Sequence, residues 1–340
     1  MSLSRLFACL LLMVSLGPAA TAAQRETYAA FLGDTGTGKE NQKKVRDELE
    51  RIAREKKLDS IFLLGDNIYT NGEAQHIKEK FLDIYKTLLD GSTTLHSALG
   101  NHDVKKCDKK KFDPQYRDQS AYPGCTDVHA QLDPKNRFGY VDGQRYYSVA
   151  SEGATPLFEV FLLDSNTLPI EDYVQSRRPE DRAQLSWLDK GLSDSKAVWK
   201  IVGFHNALHT PPSSGRFLGF GGHGPEEKLR DRLEPIFKKH KVDVVFQAHN
   251  HFYARMVPQE GVRYFVAGGG GRKVDKHKHR PGYTVDKDSS QGSFHHFVHV
   301  RMTAEVFQYC TVDADGKPRD WGSFKKGDIE DDPSVPDFCP

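Results

Sequence analysis

Five times along this chain an apolar run of strand length gives way at once to a short polar motif made of metal-binding residue types. Buried parallel strands read as continuous apolar runs, and ligands of open α/β sheets bind in the crevice beyond the strands' carboxyl ends. The run at 28–32 leads into Gly33-Asp34-Thr35-Gly36, and the run at 60–64 into Gly65-Asp66-Asn67-Ile68-Tyr69. Residues 95–99 lead into Gly100-Asn101-His102-Asp103, residues 198–204 into His205, and residues 242–247 into Ala248-His249-Asn250-His251. Singly each motif is weak, because an Asp beside Gly is often a turn residue and a lone His usually has an ordinary hydrogen bond. Their common position at strand ends predicts one metal site drawn from more than half the chain.

The intervening segments support an α/β class. Val45, Leu49, Ile52 and Ala53 fall at helical spacing between the first two apolar runs, which makes a βαβ unit. Leu185, Leu188 and Leu192 mark a second helix, and Leu229, Leu233, Ile236 and Phe237 a third. Further strands are expected at 158–163 and 264–267, with a closing antiparallel pair at 294–301 and 305–310. Residues 104–136, rich in Lys, Asp and Pro, and 206–225, rich in Gly, Pro and Ser, read as long loops suited to line a substrate cleft. No internal repeat or domain boundary stands out.

The first 23 residues read as a cleaved signal peptide: Arg5, an apolar stretch over 6–16, then Ala20, Ala22 and Ala23. The alternative, an uncleaved anchor, needs ~20 apolar residues to span a bilayer, and this stretch is shorter. Export to a periplasm, a lumen or the medium is therefore expected, with no stable membrane anchor. The chain carries 48 Lys and Arg against 47 Asp and Glu, a balance that does not point to nucleic acid or an anionic membrane as partner. Removing the leader takes Cys9 and leaves Cys107, Cys125, Cys310 and Cys339. Sequence proximity favours Cys107 with Cys125 and Cys310 with Cys339 among the three possible pairings; four free thiols would be the alternative.

The set GDxG, GDxxY, GNHD, VxxH and GHxH resembles the metallophosphoesterase superfamily, and within it the purple acid phosphatase branch. The wider superfamily has a histidine two residues after the first Asp and no tyrosine in the second motif, where this chain has Gly36 and Tyr69. Gln184-Leu-Ser-Trp-Leu188 and His223-Gly-Pro225 look like the small mammalian-type, tartrate-resistant members. Ala248 stands where the family has Gly, and its extra methyl group is expected to leave the site intact.

The resemblance implies one catalytic domain over 24–340, a four-layer sandwich of two mixed sheets flanked by helices. It implies one metal on Asp34, Tyr69 and His251, another on Asn101, His205 and His249, and Asp66 bridging them. A phenolate with carboxylates suits Fe(III), and two imidazoles with an amide oxygen suit a divalent Fe, Zn or Mn ion. His102 is the expected general acid or phosphate donor, with Asp103 holding its ring. His223 is the expected second active-site histidine, and His209 competes with it. The activity implied is hydrolysis of small phosphomonoesters at acid pH. A diesterase or nucleotide-cleaving enzyme is the alternative, and a catalytically silent binding protein the less favoured one. The glycine run 268–271 reads as a closely approached turn, the run 276–280 as a solvated basic loop, and His295, His296 and His299 as structural residues of a strand. Neither the physiological substrate nor the oligomeric state follows from these motifs.

Overall fold

A computed structural model describes residues 25–55, 57–168, 181–211, 224–276 and 291–340. The expected leader, His223 and residues 277–280 of the basic run lie outside the described residues.

The chain runs β1 (Glu26–Leu32), α1 (Glu40–Arg54), β2 (Ser60–Leu63), α2 (Lys86–Asp90), β3 (Thr94–Ser97), α3 (Thr126–Leu132), β4 (Tyr147–Ala150) and β5 (Phe158–Leu162). It continues with α4 (Arg182–Asp194), β6 (Trp199–Gly203), α5 (Glu227–His240), β7 (Val244–Gln247), β8 (Tyr253–Arg255) and β9 (Arg263–Ala267). It closes with β10 (Gln291–Gly292), β11 (His296–Thr303), β12 (Val306–Asp313) and β13 (Pro318–Lys325). Two mixed sheets result, ordered β13-β12-β11-β1-β2-β3 and β10-β8-β9-β7-β6-β5-β4. The strands that end in motifs pair in parallel: β1 with β2, β2 with β3, and β6 with β7. Parallel pairing points their carboxyl ends the same way, which is what gathers the motifs at one rim.

The layers follow from side-chain alternation. In the second sheet Val160, Leu162, Ile201, Val244 and Phe246 turn toward the first sheet. Their neighbours Phe161, Val202, Phe204, Val245 and Val266 pack with Leu188, Leu192, Leu229, Leu233 and Phe237 of α4 and α5. A period of two thus puts every second residue in a different core. The sheets meet at Phe31 and Phe246, whose rings stack at 3.8 Å, and Trp199 Nε1 donates to the carbonyl of Thr303 at 2.7 Å. Across the first sheet, α1 buries Val45, Leu49 and Ile52, as their helical spacing predicts. Helix α4 starts at an Asp181 cap that accepts from the Gln184 amide at 3.0 Å.

The expected loop at 104–136 holds short helical turns and α3, tied by a Cys107–Cys125 disulfide. A second disulfide joins Cys310 on β12 to Cys339 near the carboxyl terminus. Both are the pairings that proximity favours. Strand β13 was not expected: it begins with Pro318, which an edge strand tolerates because one row of its amides is unpaired.

Candidate metal centre

The first two motif loops meet where no side chain would fit between them. A Cβ on Gly36 would lie 2.1 Å from the Asn67 carbonyl oxygen, and one on Gly65, whose φ is +90°, would lie 2.7 Å from the Gly100 backbone. This close approach sets Asp34 beside Asp66. Both adopt positive φ, 59° and 55°, as does His249 at 69°. Non-glycine residues seldom adopt that region, and functional sites are where such strain collects, at about 1–3 kcal/mol per residue. Local hydrogen bonds hold the strained residues: the Asp34 amide donates to Gly65 at 3.0 Å, and the His249 amide to Asp34 Oδ2 at 2.9 Å. Ala248 has no positive φ, so it fits where a glycine was the family's choice.

Around this acidic floor of Asp34 and Asp66 five further motif side chains converge with His102. Asp34, Asp66 and His205 offer ligand atoms that all lie within 4.8 Å of one another, and all three residues are buried. The Tyr69 hydroxyl donates to Asp34 Oδ1 at 2.8 Å and lies 3.3 Å from His251 Nε2, which is itself 3.3 Å from Asp34 Oδ1. On the other side His205 Nε2 is 2.9 Å from Asn101 Oδ1, 3.1 Å from His249 Nδ1 and 3.5 Å from Asp66 Oδ1. A carbonyl only accepts, so His205 Nδ1, 2.9 Å from the Leu64 carbonyl, carries the ring proton and leaves Nε2 with its lone pair. His205 Nε2, Asn101 Oδ1 and the Asp66 carboxylate then face one another with their lone pairs, an arrangement that a cation would satisfy.

The electrostatics agree. Burial opposes ionisation of Asp34, yet His251, His205 and the Tyr69 hydroxyl outweigh it and hold the carboxyl down at about 2. Burial, then the charges of Asp34 and Asp66, push the Tyr69 phenol well above its ordinary value. A phenol so raised becomes an anionic ligand only against a strong Lewis acid.

His102 stands at the mouth with its side chain 21% exposed. Its amide donates to Asp66 Oδ1 at 2.9 Å, its Nδ1 bonds the Thr70 carbonyl, and its ring lies 4.7 Å from that of Tyr69. Asp103 does not hold this ring. Its carboxylate instead accepts from the amides of Asn67, Ile68 and Gly100 at 3.1, 3.1 and 2.8 Å and from Gln131 at 3.0 Å. Asp103 therefore clasps the second and third motif loops together, and Thr70 is the residue that orients His102. Burial and the nearby Asp66 charge raise the Asp103 carboxyl to about 7, against the pull of those amides.

His209 also departs from expectation. Its Nε2 is 2.6 Å from Glu234 Oε1 on α5, and its ring packs 4.5 Å from Tyr264, while none of its described contacts is to a motif side chain. The glycine run is the expected tight turn: the Gly270 amide donates to Gly33, and a Cβ on Gly268 would lie 2.1 Å from the Asn250 carbonyl oxygen. His296 and His299 bond the carbonyls of Phe294 and Lys57, as structural residues do.

Sequence reasoning missed Asp275. Its Oδ2 is 3.5 Å from His251 Nδ1, an ion-pair distance on the side of the ring away from Asp34, and its amide donates to the His251 carbonyl at 2.8 Å. The signal was available, since the segment follows β9 and extends the logic of strand ends by one more strand. That logic also has limits. Asp164 follows β5, yet its carboxylate serves Arg145 at 3.3 Å and Tyr122 at 2.5 Å inside a buried network.

Among proteins of known sequence, the calcineurin-like phosphoesterase family matches residues 28–253. Purple acid phosphatase 17 of Arabidopsis thaliana is 29% identical over 264 residues, covering 72% of this chain and 68% of that one. Tartrate-resistant acid phosphatase type 5 of Oryctolagus cuniculus is 24% identical over 273 residues, 76% of each chain. Similar folds are those of GAP50, the anchor in the inner membrane complex of Plasmodium (TM-score 0.68, 13% identity, 92% of this chain and 91% of that one), and of purple acid phosphatase PPD1 from yellow lupin, Lupinus luteus (0.66, 17%, 89% and 54%). Motifs, site and relatives agree: this chain belongs to the calcineurin-like phosphoesterases, hydrolases of phosphoric esters, and its relatives there are purple acid phosphatases.

Proposed function

We propose that this chain is an exported acid phosphatase that hydrolyses phosphomonoesters at a binuclear centre of Fe(III) and a divalent Fe, Zn or Mn ion. The observation that carries the reading is the acceptor cluster at one rim, in which Asp34, Tyr69 and His251 stand on one side of Asp66 and Asn101, His205 and His249 on the other. These are the two ligand sets, with Asp66 shared. When bound, the ions supply Lewis acidity toward phosphoryl oxygens and a hydroxide nucleophile.

The chain's own residues do the rest. Leu64 and Asp275 hold His205 and His251 with Nε2 inward, so neither ring must reorient to bind. His102 donates from Nδ1 to the Thr70 carbonyl, so as the imidazolium it would present a second N–H, on Nε2, to a phosphoryl or leaving-group oxygen. His223 is the proposed second donor. The catalytic domain begins after a 23-residue leader, residues 24–340 forming one unit.

The likeness to GAP50, described as an anchor, raises a second reading as a non-catalytic scaffold. The presence of every ligand type in one converging cluster favours turnover. Hydrolysis of p-nitrophenyl phosphate and its bis-ester by the metal-loaded protein, with Asp66→Ala as control and metal analysis alongside, tests the reading. Monoester turnover lost in the variant is expected, with iron and a second metal in the parent. Preference for the bis-ester would make it a diesterase, and no turnover of either ester would sink the phosphatase.

A further inference from the structure

Arg272 lies directly after the glycine run, and its position is set by the site itself. Its amide donates to the Asp34 carbonyl at 2.9 Å, and its guanidinium carbon sits 4.7 Å from the centre of the Tyr69 ring. Tyr69 in turn packs against His102, so the guanidinium and the His102 imidazole both border one aromatic ring whose hydroxyl reaches Asp34. A guanidinium carries five donors and is charged at every pH of interest. Among the described residues that of Arg272 forms no hydrogen bond or ion pair, its one contact being the aromatic face. The side chain is half-buried, which leaves it open to a ligand.

Among the described residues, the other buried and half-buried arginines carry hydrogen bonds or ion pairs. Arg255 takes Asp320 in a two-bond fork at 2.7 and 3.0 Å, Arg145 lies 2.6 Å from Asp181, and Arg301 lies 2.6 Å from Glu26. An arginine held beside the acidic centre by its own backbone, with its fork unspent, is placed for an anion that arrives from outside. We propose that Arg272 is a substrate-binding residue that grips the phosphoryl group and selects dianionic monoesters over diesters. The chemistry favours this class: a monoester offers three non-bridging oxygens and two charges, a diester two and one. Only the former keeps an oxygen for a planar fork once two others are engaged by the centre. The inference rests on the phosphatase reading and deepens it.

The test compares Arg272→Met and Arg272→Lys with the parent. Methionine keeps an apolar contact on the Tyr69 ring and removes the fork; lysine keeps the charge alone. Orthophosphate affinity of the metal-loaded proteins is measured by calorimetry, and kcat and KM for the monoester and its bis-ester beside it. Melting curves and metal content report whether fold and centre survive. Arg272→Met should weaken orthophosphate about tenfold or more and lower the monoester-to-diester ratio of kcat/KM by a similar factor, chiefly through the monoester KM, with lysine restoring part of both. If Arg272 merely covered Tyr69, metal content or the melt would change while phosphate affinity and the ratio stayed within about twofold of the parent, and the proposal would be overturned. Should the parent turn over neither ester, the phosphatase reading fails separately. Orthophosphate affinity then still decides whether Arg272 binds the anion.

Discussion

The Leu64 carbonyl and the His205 ring, 2.9 Å apart, join the end of one sheet to the side chain that follows β6 in the other. The bond spans 141 positions in sequence and fixes which nitrogen faces Asp66. His205→Ala removes both the bond and the lone pair that faces Asn101. We expect the variant to lose one of the two proposed metals and at least about 100-fold in turnover, measured by metal analysis and p-nitrophenyl phosphate hydrolysis. Full activity with both metals retained would take His205 out of the ligand set.

Asp275 is expected to matter through His251 alone. Asp275→Asn keeps the size and removes the charge that faces Nδ1 at 3.5 Å. Outer partners of ligating histidines are worth about 10–100-fold in metal affinity or activity, and the loss here should appear in the metal proposed for His251, Asp34 and Tyr69. Titration of the apoprotein with metal, followed by absorbance, reads this directly; an unchanged affinity would show that Asp275 only tethers its loop.

His102 and Asp103 are neighbours in sequence with separable effects. Removing the carboxylate in Asp103→Ala strands three buried backbone amides and Gln131, at about 1–3 kcal/mol for each unsatisfied donor. The melting temperature should fall steeply. His102→Ala removes a half-buried ring at the mouth and should leave the melt nearly unchanged while turnover falls about 100-fold or more. Equal effects on stability would show that the two act as one unit.

This pair also shows how far the sequence was legible. The strand ends were readable because a buried parallel strand leaves a continuous apolar signal, and metal chemistry admits few residue types after it. Which partner Asp103 takes was not readable, because a carboxylate beside a histidine is equally suited to its ring or to amides folded in from 36 residues away. Arg272 and Asp275 escaped for a related reason: they sit in a loop that acquires its place by hydrogen bonds to Asp34, His251, Ser293 and His295, all distant in sequence or outside the motif pattern. Strands β4, β8 and β10 are short, and β13 carries Pro318 and Gly322, so partners rather than propensity define them.

Acid should weaken this fold through a buried histidine of the first sheet, His299. His299 is fully buried in the first sheet between Tyr28 and Phe338, and burial, against its bond to the Lys57 carbonyl, depresses its pKa from 6.5 to about 4. The unfolded chain therefore binds the proton first as pH falls. Stability is unaffected by this group above about pH 6.5 and declines progressively between 6.5 and 4, by on the order of a few kcal/mol across the window. His299→Phe removes the titration while keeping a ring against Phe338, at the cost of the Lys57 bond. Urea melts at pH 7 and pH 5 should show a smaller acid-induced loss in the variant than in the parent, even if the variant is less stable at pH 7. Parallel declines in the two proteins would mean that His299 is not part of the acid response, and would shift attention to His296, likewise lowered to about 4 by burial.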